Sequence, residues 1–198
     1  MDFSHSRKYT AEMLATFSLT LAVSLSFLFH FPFSTPVLAA VVVGVFVYTI
    51  GGISGAHINP AVTLGMWTIK QIGTKDAMLY VASQFIGAGF ATILVLSMTA
   101  AIPLAPEESP QIILGETLGA FFLTFGVASV ALGKTKVDAS GLVVGGSLLI
   151  GIIVASTMST GLLNPAVAFG TGSLSLSYLL GPLLGGALGA VTFKWMSS

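Results

Sequence analysis

Two copies of the tripeptide Asn-Pro-Ala, at residues 59–61 and 164–166, are the groups in this sequence that are best suited to solute chemistry. In each copy, or box, the Asn suits a helix N-cap, and the Pro suits the first helical position, where its missing N–H costs nothing. Each box therefore predicts a helix start that carries an amide donor and a partial positive charge of about half a unit. Such a site disfavours cations and protons and accepts neutral solutes. The box residues, all expected to line the path of such a solute, are Asn59, Pro60, Ala61, Asn164, Pro165 and Ala166.

The helix predicted after the first box is too short to cross a membrane. From Pro60 to about Lys70, some ten residues cover roughly 15 Å, about half the hydrocarbon thickness of a bilayer. The segments before the boxes, residues 53–58 and 159–163, contain Gly and are expected to be non-helical. Irregular backbone survives at membrane depth only where it lines a cavity or is buried in protein. Two such half-helices entering from opposite faces would meet at mid-membrane beside a solute path.

The composition indicates an integral membrane protein. Of the 198 residues, 55% are hydrophobic and 7% are charged, far below the roughly 25% charge of soluble domains. We predict a single domain over residues 1–198. Six apolar runs are long enough to span a bilayer, at residues 11–29, 36–54, 77–100, 112–132, 140–158 and 177–195.

An internal repeat divides the chain into halves at about residues 1–106 and 107–198. Glu12 and Glu116 stand in similar contexts 104 positions apart, and Asn59 and Asn164 are 105 apart. Each half has three spans and one half-helix. An odd number of crossings turns the second half upside down, which makes an inverted repeat with a pseudo-two-fold axis in the membrane plane.

The basic residues give the orientation, because they all fall on one side of the predicted topology. By the positive-inside rule that side is cytoplasmic, so both termini are expected in the cytoplasm of a multi-pass plasma-membrane protein whose first span is retained. The seven residues are Arg7, Lys8, Lys70, Lys75, Lys134, Lys136 and Lys194.

No catalytic site, metal site or cofactor is expected. The sequence has no Cys, and it offers no His pair at metal-ligand spacing, no nucleophile–base pair and no phosphate loop. The lipid bilayer is an expected partner, whereas nucleic acid is not. An enzyme is disfavoured, while a secondary transporter stays as an alternative because broken helices and inverted repeats occur in that class too. Such a transporter would need coupling-ion groups at midplane, which this chain does not offer.

With these features the sequence resembles the aquaporins, or major intrinsic protein family, over nearly its whole length. Besides the two boxes, the resemblance rests on the lead-in at residues 54–58, on Glu12, Glu116 and Gln84, and on Gly87-Ala88 and Gly181-Pro182. It implies an all-α membrane protein with the aquaporin-like fold: six tilted transmembrane helices plus two re-entrant half-helices in two inverted repeats. It also implies a homotetramer with one pore in each subunit.

Four polar residues, Glu12, Glu116, His57 and Gln84, are expected to have structural roles. Acids within membrane spans are costly and need a reason to be there. The resemblance implies that Glu12 and Glu116 accept hydrogen bonds from the re-entrant backbone, and the alternative is that each lies in interfacial water. His57 is expected as a structural histidine, the alternative being a pore-facing, pH-sensitive group. The Tyr residues mostly lie near predicted span ends, where packing or interfacial anchoring is expected.

The outer constriction of the pore departs from the family pattern. The position after the second box, where members usually carry Arg, is Val167, and ungapped counting places the other filter residues at Ala39, Ile152 and Gly161. Water-selective members typically have aromatic, His and Arg groups there. Selectivity in aquaporins follows pore diameter, lining groups and electrostatic barriers. This small, aliphatic set therefore predicts a wide apolar filter and a passive channel for water and small uncharged solutes, glycerol- or urea-like; a strictly water-selective aquaporin is the alternative.

Overall fold

The chain forms helices almost throughout, as its apolar runs predict. A computed structural model describes residues 4–198, and residues 1–3 of the first predicted half lie outside the described part. Within residues 4–198 the α-helices are α1 Ser4–Leu28, α2 Thr35–Ser54, α3 Pro60–Thr68, α4 Thr74–Thr99, α5 Pro110–Ala131, α6 Ser140–Ala155, α7 Pro165–Thr171 and α8 Leu176–Ser197, with a 3₁₀ turn at Val137–Ala139 before α6.

Six of these helices, α1, α2, α4, α5, α6 and α8, are long and apolar enough to cross a membrane. The prediction of six spans is thus confirmed, and the differences lie at the ends. Helix α1 starts at Ser4 rather than at residue 11, because polar first turns carry no hydropathy signal. Helix α6 ends at Ala155 rather than at residue 158, where the chain turns into the second re-entrant segment.

The two short helices, α3 and α7, begin at the prolines of the boxes. At about 1.5 Å per residue they are roughly 14 and 10 Å long, too short to span a bilayer. Helix α3 ends two residues before Lys70, whose φ of 63° is incompatible with continuing the helix. Helix α7 ends at Thr171 and is capped by Gly172, which takes a left-handed φ of 90°, a cap conformation that glycine adopts without steric cost.

Close helix pairs recur in the two halves. Helix α1 packs on α4, and α5 packs on α8. Gly87 of α4 lies so close to the Met13 carbonyl that a Cβ would overlap it, and Gly185 of α8 lies equally close to the Thr117 carbonyl of α5. Such small residues let membrane helices approach closely. Each half-helix also packs against helices of the other half: α3 packs on α8, and α7 packs on α1 and α4.

Candidate functional site

The two box asparagines cap the half-helices through their side-chain oxygens. Asn59 Oδ1 accepts from the Ala61 N–H at 2.7 Å, and Asn164 Oδ1 accepts from the Ala166 N–H at 3.0 Å. Both asparagines have extended backbone, as an N-cap requires. The capping expected from the Asn-Pro pairs is confirmed.

Each asparagine also holds the loop that leads to the other. Asn59 Nδ2 donates to the Leu163 carbonyl at 2.8 Å, and Asn164 Nδ2 donates to the Ile58 carbonyl at 3.0 Å. The two accepting residues have φ of 55° and 60°, which is uncommon for side chains of this size. This backbone turn sets each carbonyl against the opposite amide, and each amide keeps one further N–H.

Glu12 holds the first re-entrant segment from α1, where it is fully buried. Its Oε1 accepts from the Ser54 hydroxyl at 2.7 Å and the His57 N–H at 2.9 Å. Its Oε2 accepts from the Ile58 N–H at 2.6 Å and from Gln84 Nε2 at 2.8 Å. Burying a carboxyl group is costly unless it is hydrogen-bonded, and here four donors satisfy both oxygens.

Glu116 has the corresponding position in the second half and is also fully buried. Its Oε1 accepts from the Ser159 hydroxyl at 2.7 Å and from the Leu162 N–H at 3.0 Å. Its Oε2 accepts from the Leu163 N–H at 2.6 Å. The two acids therefore contact the loop backbone directly rather than lying at exposed helix ends.

His57 and Gln84 meet through Thr63 on α3. Gln84 Nε2 donates to Thr63 Oγ1 at 3.0 Å, and His57 Nδ1 lies 3.2 Å from the same oxygen. The second half has Leu162 and Ala168 at the positions 105 residues after His57 and Thr63. The polar chain is therefore confined to one half, and His57 is both fixed by it and in contact with the cavity.

Two tyrosines support the re-entrant segments, a role that the sequence analysis missed. The Tyr80 hydroxyl donates to the Ser54 carbonyl at 2.8 Å, and the Tyr178 hydroxyl accepts from the Thr160 N–H at 3.0 Å. Their exposed fractions are 4% and 1%, so neither is an interfacial anchor. The sequence does contain a signal that these tyrosines correspond. They are 98 residues apart, the same spacing as the close-contact glycines Gly87 of α4 and Gly185 of α8.

A cavity of about 200 Å³ runs past both asparagines. The four residues expected at the filter all line it, as do Asn59, Asn164 and His57. The Pro and Ala residues of the boxes are instead buried inside the first turns of α3 and α7, because capping turns only the Asn side chain toward the cavity. Glu12, Glu116 and Gln84 lie behind the loops. The four filter positions are Ala39, Ile152, Gly161 and Val167.

The remaining cavity wall is mostly aliphatic. Helix α6 contributes Val144, Leu148 and Ile152, and α2 contributes Ala39 and Val43. Because these positions recur every four residues, each helix presents them on one face. The cavity thus has a hydrocarbon wall opposite a wall of re-entrant backbone.

Comparisons with known proteins agree with this architecture. A family model described as "Major intrinsic protein" matches residues 1–193. "Aquaporin AqpM" of Methanothermobacter thermautotrophicus is 30% identical over 176 residues, covering 77% of this chain and 72% of the relative. "Glycerol uptake facilitator protein-like 6" of Lactiplantibacillus plantarum is 34% identical over 230 residues, covering 97% and 99%. The X-ray structure of the aquaglyceroporin from Plasmodium falciparum superposes with a TM-score of 0.71 at 22% identity, covering 97% and 95% of the two chains.

Proposed function

Because the chain belongs to the major intrinsic protein family, we propose that it is a passive channel for water and small uncharged solutes. The observation that carries this proposal is the meeting of Asn59 and Asn164 beside one cavity, where each side chain bonds to the opposite loop. Relatives named aquaporin and glycerol uptake facilitator-like support the same class of function.

The mechanism follows from the electrostatics at the middle of the cavity. Helices α3 and α7 both begin there, so two partial positive charges of about half a unit face a passing solute. Asn59 and Asn164 each offer one remaining N–H that replaces a hydrogen bond of the solute's hydration shell. A neutral solute gains these contacts, whereas a cation meets an unfavourable field.

We propose that Ala39, Ile152, Gly161 and Val167 form the outer constriction of this channel. Their common position on the cavity wall supports that role. All four residues are small or aliphatic, and none carries a charge or a side-chain hydrogen-bond donor, so we expect the constriction to be wide and apolar. Solutes larger than water, such as glycerol and urea, then pass without displacing a fixed cationic side chain.

The assembly and orientation belong to the same proposal. The chain forms a homotetramer with one pore in each copy, which its family supports. It lies in the plasma membrane with both termini in the cytoplasm, an orientation that the positions of its basic residues support. The function requires no reaction step and no cofactor. Solutes move down their own gradients.

Stopped-flow light scattering on liposomes containing the purified protein tests the proposal. An impermeant osmolyte is expected to give rapid shrinkage, and glycerol or urea is expected to give shrinkage followed by reswelling, both faster than in protein-free vesicles. Shrinkage without reswelling favours the strictly water-selective alternative. Uptake that depends on an ion gradient overturns the channel mechanism in favour of a secondary transporter, and a cation conductance in a planar bilayer contradicts the proposed cation barrier.

A further inference from the structure

A groove of about 460 Å³ runs along the outside of the half-helix α3, between α4 and α8. Its walls are mostly hydrocarbon and include Pro60 and Leu64 of α3, Val81 and Phe85 of α4, and Leu183 of α8. The groove is separate from the cavity that passes the asparagines, since the two have no lining residue in common. It therefore opens an apolar surface to whatever lies beside the protein in the membrane.

The groove is as long as one leaflet of a bilayer is thick. Along α4 its wall extends from Thr74, the first residue of that helix, to Phe85, eleven residues further on. At about 1.5 Å per residue this is roughly 16 Å, and half of the hydrocarbon core of a bilayer is about 15 Å. Pro60, next to the box residue Asn59, also lines it. One extended acyl chain of a single leaflet thus matches the groove in length and in polarity.

A polar depression continues the groove at the Thr74 end. Trp67 and Thr74 line both, and Trp67 Nε1 donates to Thr74 Oγ1 at 3.0 Å. Lys70 and Gln71 line the depression alone. Trp residues concentrate at the boundary between lipid headgroups and acyl chains, because they combine an apolar ring with one polar group. The depression therefore lies where the headgroup of a lipid in the groove would be.

Two lysines make this end of the groove positive. Lys70 lines the depression, Lys75 lies in the first turn of α4, and both are exposed. Neither pairs with a carboxylate of the described residues, and among those residues no Asp or Glu lines the groove or the depression. The neighbouring acid, Asp76, accepts from Lys8 at 2.7 Å and from the Tyr9 hydroxyl at 2.6 Å. The free ammonium groups are complementary to an anion.

We propose that the groove is a binding site for one phospholipid with an anionic headgroup, in the leaflet on the side of the basic residues. One acyl chain lies along α3 and α4, and the headgroup faces Lys70 and Lys75. Basic residues at a membrane surface attract anionic lipids, whereas the hydrocarbon wall requires an acyl chain and excludes free phosphate as the occupant. The inference rests on the membrane-spanning helices and is independent of the proposed channel function.

Trp67 supplies a reporter for the test. The chain has two Trp residues, so Trp195→Phe leaves Trp67 as the only one. This protein is placed in phosphatidylcholine vesicles that contain a small fraction of lipid with brominated chains, which quench Trp fluorescence on contact. Brominated phosphatidylglycerol is expected to quench Trp67 at a mole fraction about fivefold to twenty-fivefold lower than brominated phosphatidylcholine, the effect of one or two basic residues.

Matched variants in the same background separate the headgroup from the general surface charge. Lys70→Gln with Lys75→Gln is expected to remove the difference between the two lipids. Lys134→Gln with Lys136→Gln makes the same change of charge in the connection between α5 and α6, at two exposed positions outside the groove, and should preserve the difference.

A second pair of variants tests the acyl-chain part of the site. Ala77→Phe fills the groove and is expected to weaken quenching by brominated phosphatidylglycerol at least fivefold. Ala82→Phe, at an exposed position of α4 outside the groove, should leave quenching unchanged. The unfolding temperature in detergent shows that both variants are folded.

Three results overturn the inference. Equal quenching by the two brominated lipids shows that the groove holds ordinary bilayer lipid without selection. Absence of quenching by either lipid shows that another copy of the chain covers the groove. Equal losses in the two double-lysine variants show that only the overall surface charge matters. The proposed function is measured separately, by the osmotic shrinkage of the same vesicles, and stands or falls on that result alone.

Discussion

The side-chain amide of Asn59 lies 2.8 Å from the carbonyl oxygen of Leu163, across the junction between the two half-helices. The reverse contact, from Asn164 to Ile58, measures 3.0 Å. Each asparagine therefore joins two functions, because its oxygen caps its own helix while its nitrogen fixes the other half's loop. The centre of the cavity is set jointly by residues 104 and 106 positions apart.

Replacing Asn59 with Asp is expected to keep the cap and break the cross-contact. One carboxylate oxygen still accepts from the Ala61 N–H. The other replaces the amide nitrogen and faces the Leu163 carbonyl, so that two acceptors meet without a donor. An unpaired buried polar group costs about 1–3 kcal/mol. Thermal unfolding in detergent should shift to lower temperature, and water permeability in liposomes should fall. Gln111→Glu, which makes a similar change at an exposed position of α5, serves as the control. Equal stability of the two variants would contradict the assigned contact.

Glu12→Gln is expected to destabilise the first re-entrant segment. An amide supplies one oxygen in place of two, so the N–H groups of His57 and Ile58 can no longer both be satisfied. Each unsatisfied group costs about 1–3 kcal/mol, measured as a lower unfolding temperature and slower water flow. Glu107→Gln, on an exposed side chain of the α4–α5 linker, should leave both readouts unchanged. A role limited to interfacial solvation predicts no difference between the two variants.

Gly87→Ala tests the close packing of α1 and α4. The added methyl group meets the Met13 carbonyl, and overpacking of this kind typically costs about 1–3 kcal/mol. Gly89→Ala, on the same helix, meets only a Phe169 ring carbon at 3.8 Å, so its effect on unfolding in detergent should be neutral or slightly stabilising. The packing interpretation fails if the two substitutions have the same effect.

Val167→Arg is expected to reduce the permeation of solutes larger than water. Arg introduces a long cationic side chain at the outer constriction, which narrows the path and adds a barrier to cations. Glycerol reswelling in liposomes should slow more than water-driven shrinkage does. Unchanged glycerol uptake would show that Val167 does not line the constriction.

Lowering the pH is expected to weaken the hydrogen bonds by which Glu108, in the α4–α5 linker, is joined to the start of α8. The Ser177 hydroxyl and the N–H groups of Leu176 and Ser177 donate to its carboxylate, and these bonds hold the pKa of Glu108 below its ordinary value. A carboxyl with a lowered pKa stabilises the fold above its unfolded pKa of about 4.3, and the gain is lost as the pH falls through the lower folded value. The unfolding temperatures of wild type and Glu108→Gln should differ at pH 7 and converge in acid. A pH-independent difference would show that the titration of this carboxyl does not contribute.

Much of the fold was predictable because the signals were local. Runs of apolar residues give the spans, and the Asn-Pro pairs give the starts of α3 and α7. The first half-helix was expected to reach about Lys70 and ends at Thr68, a difference set by the left-handed backbone of Lys70. Hydropathy alone does not detect such a turn.

The supporting contacts were harder to predict because they join distant parts of the chain. Tyr80 has a polar tip near a span end, which fits an interfacial anchor as well as a buried donor to Ser54. Thr63 links His57 with Gln84 only after α3 has folded against α4. Its hydroxyl carries no sequence signal beyond its own helix, so this polar chain required the structure.

The reciprocal asparagine contacts also bear on how the chain is made. Asn164 is synthesised 106 residues after Ile58, which at ribosomal rates of about 5–20 residues per second is a delay of roughly 5–20 s. During that time the Ile58 carbonyl lacks the Asn164 amide, although the Thr16 hydroxyl already donates to that carbonyl and Glu12 already accepts from the Ile58 N–H. The first re-entrant segment must therefore keep its conformation through contacts within the first half, those of Glu12 and Thr16, until the second half has been synthesised.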